Sequence, residues 1–146
     1  MTQIQSLSQA SRLIAAAEAA QRRAYCPYSR FPVGAAVMAE DGTIHSGCNI
    51  ENASYGLALC AERNAAAAAV LGGKRLFKVV AVVARLARPC GACRQVLLEF
   101  SDKTTRLILV HQAPRRRIET TSLLALLPKA FNPREAGLRR ARNGGL

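Results

Sequence analysis

Two short blocks of cysteine constrain this chain more than any other feature: Cys60-Ala61-Glu62 and, twenty-seven residues after that glutamate, Pro89-Cys90-Gly91-Ala92-Cys93. Cys90 and Cys93 are three apart, the spacing that puts two side chains on one face of a helix's first turn. Cys60 opens an alanine-rich helical segment and has to approach from a neighbouring element. The fold must therefore bring two helix starts to one point. Thiolates gather there at low cost, because unpaired backbone N–H groups and the positive end of the helix dipole favour negative charge. Cys60, Cys90 and Cys93 together suit a borderline-soft divalent ion, zinc above all, one per subunit, and leave one coordination position open.

Glu62 lies two residues after Cys60, where it can reach that open position and move a proton instead of binding metal. Charge counting then sets a problem. Zinc with three thiolates carries about −1, which opposes lowering the pKa of a bound water. Arg63 and Arg94 each follow a ligand block directly, and a guanidinium donating to sulfur withdraws charge from the metal. Arg63 is the expected donor. A closed structural zinc would need a fourth ligand, but Cys26 and Cys48 read as small buried hydrophobes in a turn and at a strand end. His45 and His111 lie in or beside strands without ligand spacing.

With 146 residues, half of them hydrophobic, the chain is the size of one ordinary domain with one core. It has no apolar run of the roughly 18 residues a membrane span requires. Arg12 and Glu18 interrupt what would be the apolar part of a leader, so the expected compartment is the cytoplasm, where thiols stay reduced. Twenty-one Lys and Arg against nine Asp and Glu give +12, a charge that attracts acidic partners. Much of the excess sits in Arg115-Arg116-Arg117 and in Arg134, Arg139, Arg140 and Arg142, with no aromatics between them, so a stacking platform for single-stranded nucleic acid is not supported.

Apolar positions Leu7, Ala10, Ile14 and Ala17 predict an amphipathic helix over 7–24. A strand over 31–38, a turn at Asp41-Gly42 and a strand over 43–48 form a hairpin. A helix over 60–71 closes at Gly72-Gly73, and the apolar run 77–84 reads as a strand buried on both faces. Pro89 is expected at the start of a helix over 90–99, followed by strands over 106–110 and 116–120 and a short helix over 122–127 capped by Ser122. The order predicts a layered α/β/α domain with a mixed sheet of about five strands, occupying 1–131, and a basic extension over 132–146.

The metal blocks join others into a family pattern. Tyr28-Ser29-Arg30-Phe31-Pro32-Val33-Gly34-Ala35-Ala36, Gly47-Cys48-Asn49-Ile50-Glu51-Asn52-Ala53-Ser54-Tyr55, Cys60-Ala61-Glu62-Arg63, Pro89-Cys90-Gly91-Ala92-Cys93-Arg94-Gln95 and Leu126-Leu127-Pro128-Lys129-Ala130-Phe131 cover most of the chain from Tyr25 to Phe131. Together they resemble the small homotetrameric zinc-dependent cytidine deaminases of nucleoside salvage. The resemblance implies hydrolytic deamination of cytidine and deoxycytidine, with water attacking C4 while Glu62 protonates N3 and then passes a proton to the departing amine. It also implies that Asn49 and Glu51 hold the ribose, Phe31 flanks the pyrimidine and the Ala61 backbone bonds the base. Phe131 would enter a neighbouring subunit's site. Blasticidin S deaminase shares the metal blocks, but the Asn49–Ala53 stretch looks like cytidine deaminase.

The turn Arg85-Leu86-Ala87-Arg88 is shorter and more basic than the family's usual loop at this place. Two other readings stay open on the sequence: a polynucleotide cytosine or tRNA adenosine deaminase with the same metal site, which the charge favours, and a non-catalytic zinc-stabilised RNA-binding module. A pocket that reads ribose hydroxyls through Asn49 and Glu51 leaves little room for a continuing phosphodiester, and a binding module would have no need of Glu62.

Overall fold

Val79, Val80, Val82 and Val83 make the longest branched apolar run in the chain, and the structure puts it where such a run belongs, in the middle of a sheet. The computed structural model describes residues 3–133 and 136–137, with the side chains of 3–7 outside that description. Most of the predicted basic extension therefore lies outside the described residues. The elements are α1 (Gln3–Gln21), β1 (Gly34–Ala39), β2 (Ile44–Cys48), a single 3-10 turn (Tyr55–Leu57), α2 (Ala61–Leu71), β3 (Phe77–Ala84), α3 (Gly91–Glu99), β4 (Arg106–His111), β5 (Arg117–Ser122) and α4 (Leu123–Leu126).

The five strands form one sheet in the order β2-β1-β3-β4-β5. β1 runs antiparallel to both β2 and β3, β3 and β4 are parallel, and β5 closes the far edge antiparallel to β4. The α/β/α layering follows from the alternation of side chains along β3. Val80, Val82 and Ala84 face α2 and α3 with Ala65, Ala69 and Leu97, while Ala81 and Val83 face Leu13 and Ala17 of α1. Among the described residues no helix is long and apolar enough to cross a membrane.

Most boundaries shift from the sequence expectation by one to four residues, and at β1 and α3 the shift has a local reason. β1 begins at Gly34 and not at 31, because Pro32 has no N–H to donate and the Asn49 side chain takes Val33 N and Phe31 O out of the ladder. α1 stops at Gln21 and not at 24. α3 starts at Gly91, so that Cys90 with φ −68 and ψ 167 is its N-cap and Pro89 precedes the cap instead of occupying the first helical position.

Small residues let the layers approach. A Cβ on Gly34 would lie 2.0 Å from Ala17 O, and one on Gly47 would lie 2.4 Å from Ala65 N. Both obstacles are backbone, which cannot swing aside. A Cβ on Gly56, by contrast, would meet nothing within 4 Å. Gly47→Ala is expected to destabilise the protein by about 2–3 kcal/mol through overpacking against α2, whereas Gly56→Ala stays within about 0.5 kcal/mol, as read by urea unfolding of both variants beside the wild type.

Candidate metal and catalytic site

The topology gathers the site at one edge of the sheet. β2 and β3 are both antiparallel to β1, so their C-terminal ends, Cys48 and Ala84, lie beside Gly34 at the start of β1. Three segments leave or enter there: residues 31–33 before β1, residue 49 onward after β2, and residues 85–90 after β3. Crevices at strand ends of this kind are the usual ligand sites of open α/β sheets. Here the crevice is a cavity of about 360 Å³, and its walls include Ser29, Phe31, Asn49, Ala61, Glu62 and Cys90.

Cys60 and Cys90 are the N-caps of α2 and α3, each in extended conformation, and their carbonyls accept the first helical bonds from Asn64 N at 3.1 Å and Arg94 N at 3.0 Å. Cys93 completes the first turn of α3 and is fully buried. The sulfurs are 3.9 Å apart for Cys60 and Cys90 and 3.5 Å for Cys90 and Cys93, and all three lie within 4.8 Å of one another. A tetrahedral ion with Zn–S bonds of about 2.3 Å separates its sulfurs by about 3.8 Å, so the donors fit zinc in both chemistry and spacing. Cys26 and Cys48 stay outside the cluster, and the Cys48 thiol donates to Arg23 O at 3.5 Å.

Electrostatics divides the thiols. A hydrogen bond from the Cys93 thiol, helped by Arg63 and opposed by burial, brings Cys60 down to about 5. The same Cys60 sulfur, followed by burial, pushes Cys93 upward. One negative charge is thus in place before any cation arrives. Arg63 Nη2 donates to Cys60 Sγ at 3.8 Å and to Ala58 O at 2.9 Å. Arg94 points elsewhere: its Nε bonds Pro89 O at 2.8 Å and its Nη1 bonds Leu126 O at 2.6 Å, bracing the turn without touching sulfur.

Glu62 is 4% exposed, and burial first, with the Cys60 charge behind it, pushes its carboxyl above the ordinary glutamate range. It stands in the cavity wall beside the cysteines. Ala61 is the first residue of α2, so its N–H has no acceptor within the helix and faces the start of the helix where the cavity lies.

The remaining expected residues are distributed unevenly. Phe31 and Asn49 line the cavity. Asn49 is also a staple, its Oδ1 accepting from Val33 N at 2.8 Å and its Nδ2 donating to Phe31 O at 2.9 Å. Glu51 is not in the wall itself; its carboxylate is clamped by Tyr28 N at 2.9 Å, by Ser29 N at 3.1 Å and by the Ser29 hydroxyl, and that hydroxyl foremost keeps its pKa low. Phe131 is 63% exposed and borders a separate cavity of about 430 Å³ with Gln95, Leu98 and Leu123, away from the sulfurs of its own chain. The wall also includes Leu86 and Arg88, from the short basic turn singled out in the sequence, and Ser29, to which sequence reasoning gave no individual role. Ser29 stood inside a family block, and only its position beside Glu51 in space gives it a task.

Comparison with known proteins bears on the same residues. The family model described as the cytidine and deoxycytidylate deaminase zinc-binding region matches residues 7–109. A cytidine deaminase of Sporosarcina psychrophila is 50% identical over 124 residues, covering 83% of this chain and 90% of its own. One from Mycobacterium tuberculosis is 45% identical over 119 residues, covering 77% and 84%. In structure, the cytidine deaminase of Burkholderia pseudomallei superposes with a TM-score of 0.77 at 44% identity, over 90% of this chain and all of that one. The matched segment contains both halves of the thiolate cluster and the glutamate between them, so the likeness lies in the site as much as in the sheet around it, and this chain belongs to the cytidine and deoxycytidylate deaminase zinc-binding family.

Proposed function

We propose that this protein hydrolyses the 4-amino group of cytidine and deoxycytidine, giving uridine or deoxyuridine and ammonia, in pyrimidine salvage. The observation that carries this reading is the buried carboxylate of Glu62 in the wall of a nucleoside-sized cavity that Cys60 and Cys90 also line, where three cysteines gather at zinc spacing. When bound, zinc supplies Lewis acidity that lowers the pKa of a water at its open position.

The chain's own residues do the rest. Glu62, buried and raised in pKa, accepts a proton from the attacking water and delivers it to N3, then takes the remaining proton of the new C4 hydroxyl and delivers it to the departing amine, so that ammonia leaves as the C4 carbonyl forms. Arg63 draws charge from Cys60 and so offsets the excess negative charge of a three-thiolate centre. Ala61 N–H bonds the base, Phe31 packs on the ring, and Asn49 and Glu51 receive the sugar. A sugar held this way is a free nucleoside, and a strand continuing past it would meet the Glu51 clamp.

We place this chemistry in the cytoplasm and in a homotetramer. Support for assembly comes from an apolar surface next to the clamp. Tyr25, Ile50 and Leu59 are joined by backbone bridges and 58%, 44% and 44% exposed, and Tyr28 and Tyr55 meet edge-on at 5.1 Å. Phe131, exposed and not in the wall of its own chain's cavity, is available to a neighbour's.

Loss of cytidine absorbance is the direct test. Zinc-loaded wild type is expected to consume cytidine and deoxycytidine and to spare a short cytosine oligonucleotide; persistence of all of them defeats the enzyme reading, and reaction of the oligonucleotide alone defeats the salvage reading. Glu62→Gln should keep its zinc and lose at least about 10³-fold in kcat. Arg63→Ala should lower kcat roughly tenfold while zinc content by metal analysis stays near one per chain.

Glu62 also makes a stability prediction with a definite sign. Its folded pKa is raised, so ionising it costs the fold more than the unfolded chain, and stability falls as pH rises from the ordinary glutamate value through the raised one. In zinc-free protein, Glu62→Gln should therefore melt above wild type at pH 8, and the gap should narrow toward pH 4 in scanning calorimetry.

A further inference from the structure

His111 is the one fully buried histidine among the described residues, and nothing in the chemistry above uses it. It ends β4 in register with Ala84, the residue from which the turn to Cys90 and Cys93 departs. That turn is held by backbone at its start, where Gln112 N donates to Ala84 O at 3.0 Å and Ala113 N to Arg85 O at 3.1 Å. Beyond Arg85 the ladder ends and side chains take over. Arg94 takes Pro89 O, and His111 Nδ1 accepts the Ala87 N–H at 3.2 Å.

Side chains alternate along this stretch. Ala87 and Pro89 are buried against the core, while Leu86, Arg88 and Cys90 face the cavity. The Ala87 N–H is therefore enclosed by protein, and the imidazole is its partner. A nitrogen that accepts carries no proton, so the neutral ring keeps its hydrogen on Nε2. Nε2 is buried, makes no hydrogen bond and lies 3.4 Å from Glu119 Oε2 on β5, a carboxylate that also has Arg117 Nη1 at 3.5 Å. The attraction from Glu119 favours the tautomer with Nδ1 free to accept.

We propose that His111 is a positioning residue for the zinc site: by fixing Ala87 it sets where the turn delivers Cys90 and Cys93 against Cys60, and so governs how firmly zinc is held. A long loop could reach that position by several routes. A turn of four residues, Arg85 to Arg88, has few, and a single side-chain acceptor decides among them. The inference rests on the zinc ligands and is independent of which nucleoside is deaminated.

The test separates the acceptor from the bulk of the ring. Asparagine presents Oδ1 near the place of Nδ1, whereas leucine fills similar volume without an acceptor. Zinc-loaded variants are mixed with a chromogenic chelator and release is timed, alongside melting of the zinc-free forms. His111→Leu is expected to release zinc about tenfold faster than wild type and His111→Asn within about threefold, although both zinc-free variants melt below wild type. Equal release by the two variants, or release from His111→Leu at the wild-type rate, overturns the proposal. Should His111→Leu not fold, His111→Gln takes its place, since its amide lies near Nε2 and leaves Nδ1 vacant; it must then release zinc faster than His111→Asn, and equal rates again overturn the assignment.

Discussion

Like charges repel, and everything around the metal site can be traced to the need to keep Cys60, Cys90 and Cys93 within 4.8 Å of one another. Two helices begin at that point, and their free N–H groups supply partial positive charge to the sulfurs. Arg63 adds a full charge on one side, and the cation supplies the remainder. The same concentration of negative charge, with burial as the larger contribution, keeps Glu62 above its usual range, which suits the proton transfers proposed for it. Ligand arrangement and proton transfer are thus two results of one electrostatic balance.

That balance is available only if α2 and α3 begin side by side, and this is a matter of packing. α2 lies on β2 and β1 through Ala61, Ala65, Ala66 and Ala69, all buried, and over Gly47, where no side chain fits. Asn64 Nδ2 then bonds Cys48 O at 2.8 Å and fixes the helix along its axis. Residues with almost no side chain do the work that larger ones do in ordinary cores: they remove slack between a sheet and the helix that carries a ligand.

The regular part of this architecture could be read in the residues. The apolar run found β3 to its ends, since Phe77–Ala84 is apolar on both faces but for Lys78 and is followed by Arg85. The metal ligands were legible because zinc accepts few donor sets and spacings. What escaped were features made by contacts distant in sequence. The start of β1 depends on an asparagine sixteen residues later taking over its hydrogen bonds. Pro89 looked like a helix start because proline is common there, yet Cys90 takes the cap position in extended conformation and the helix begins at Gly91. Ser29 acquires a task only when the strand ends are brought together beside Glu51.

The clamp on Glu51 has a consequence in the arithmetic of lone pairs. A carboxylate offers about four acceptor positions. Tyr28 N and Ser29 N fill two on Oε2, and the Ser29 hydroxyl fills one on Oε1, leaving a single vacancy. One incoming hydroxyl saturates the group, and a second would find nothing there to bond. On the proposed reading, in which Glu51 receives the sugar, such a site registers that a sugar is present without counting its hydroxyls, which is what an enzyme requires if ribosides and deoxyribosides are to be treated alike. Because the donors that fix the carboxylate belong to the folded backbone, the entropy of orienting it is lost once, during folding, and not again at each turnover.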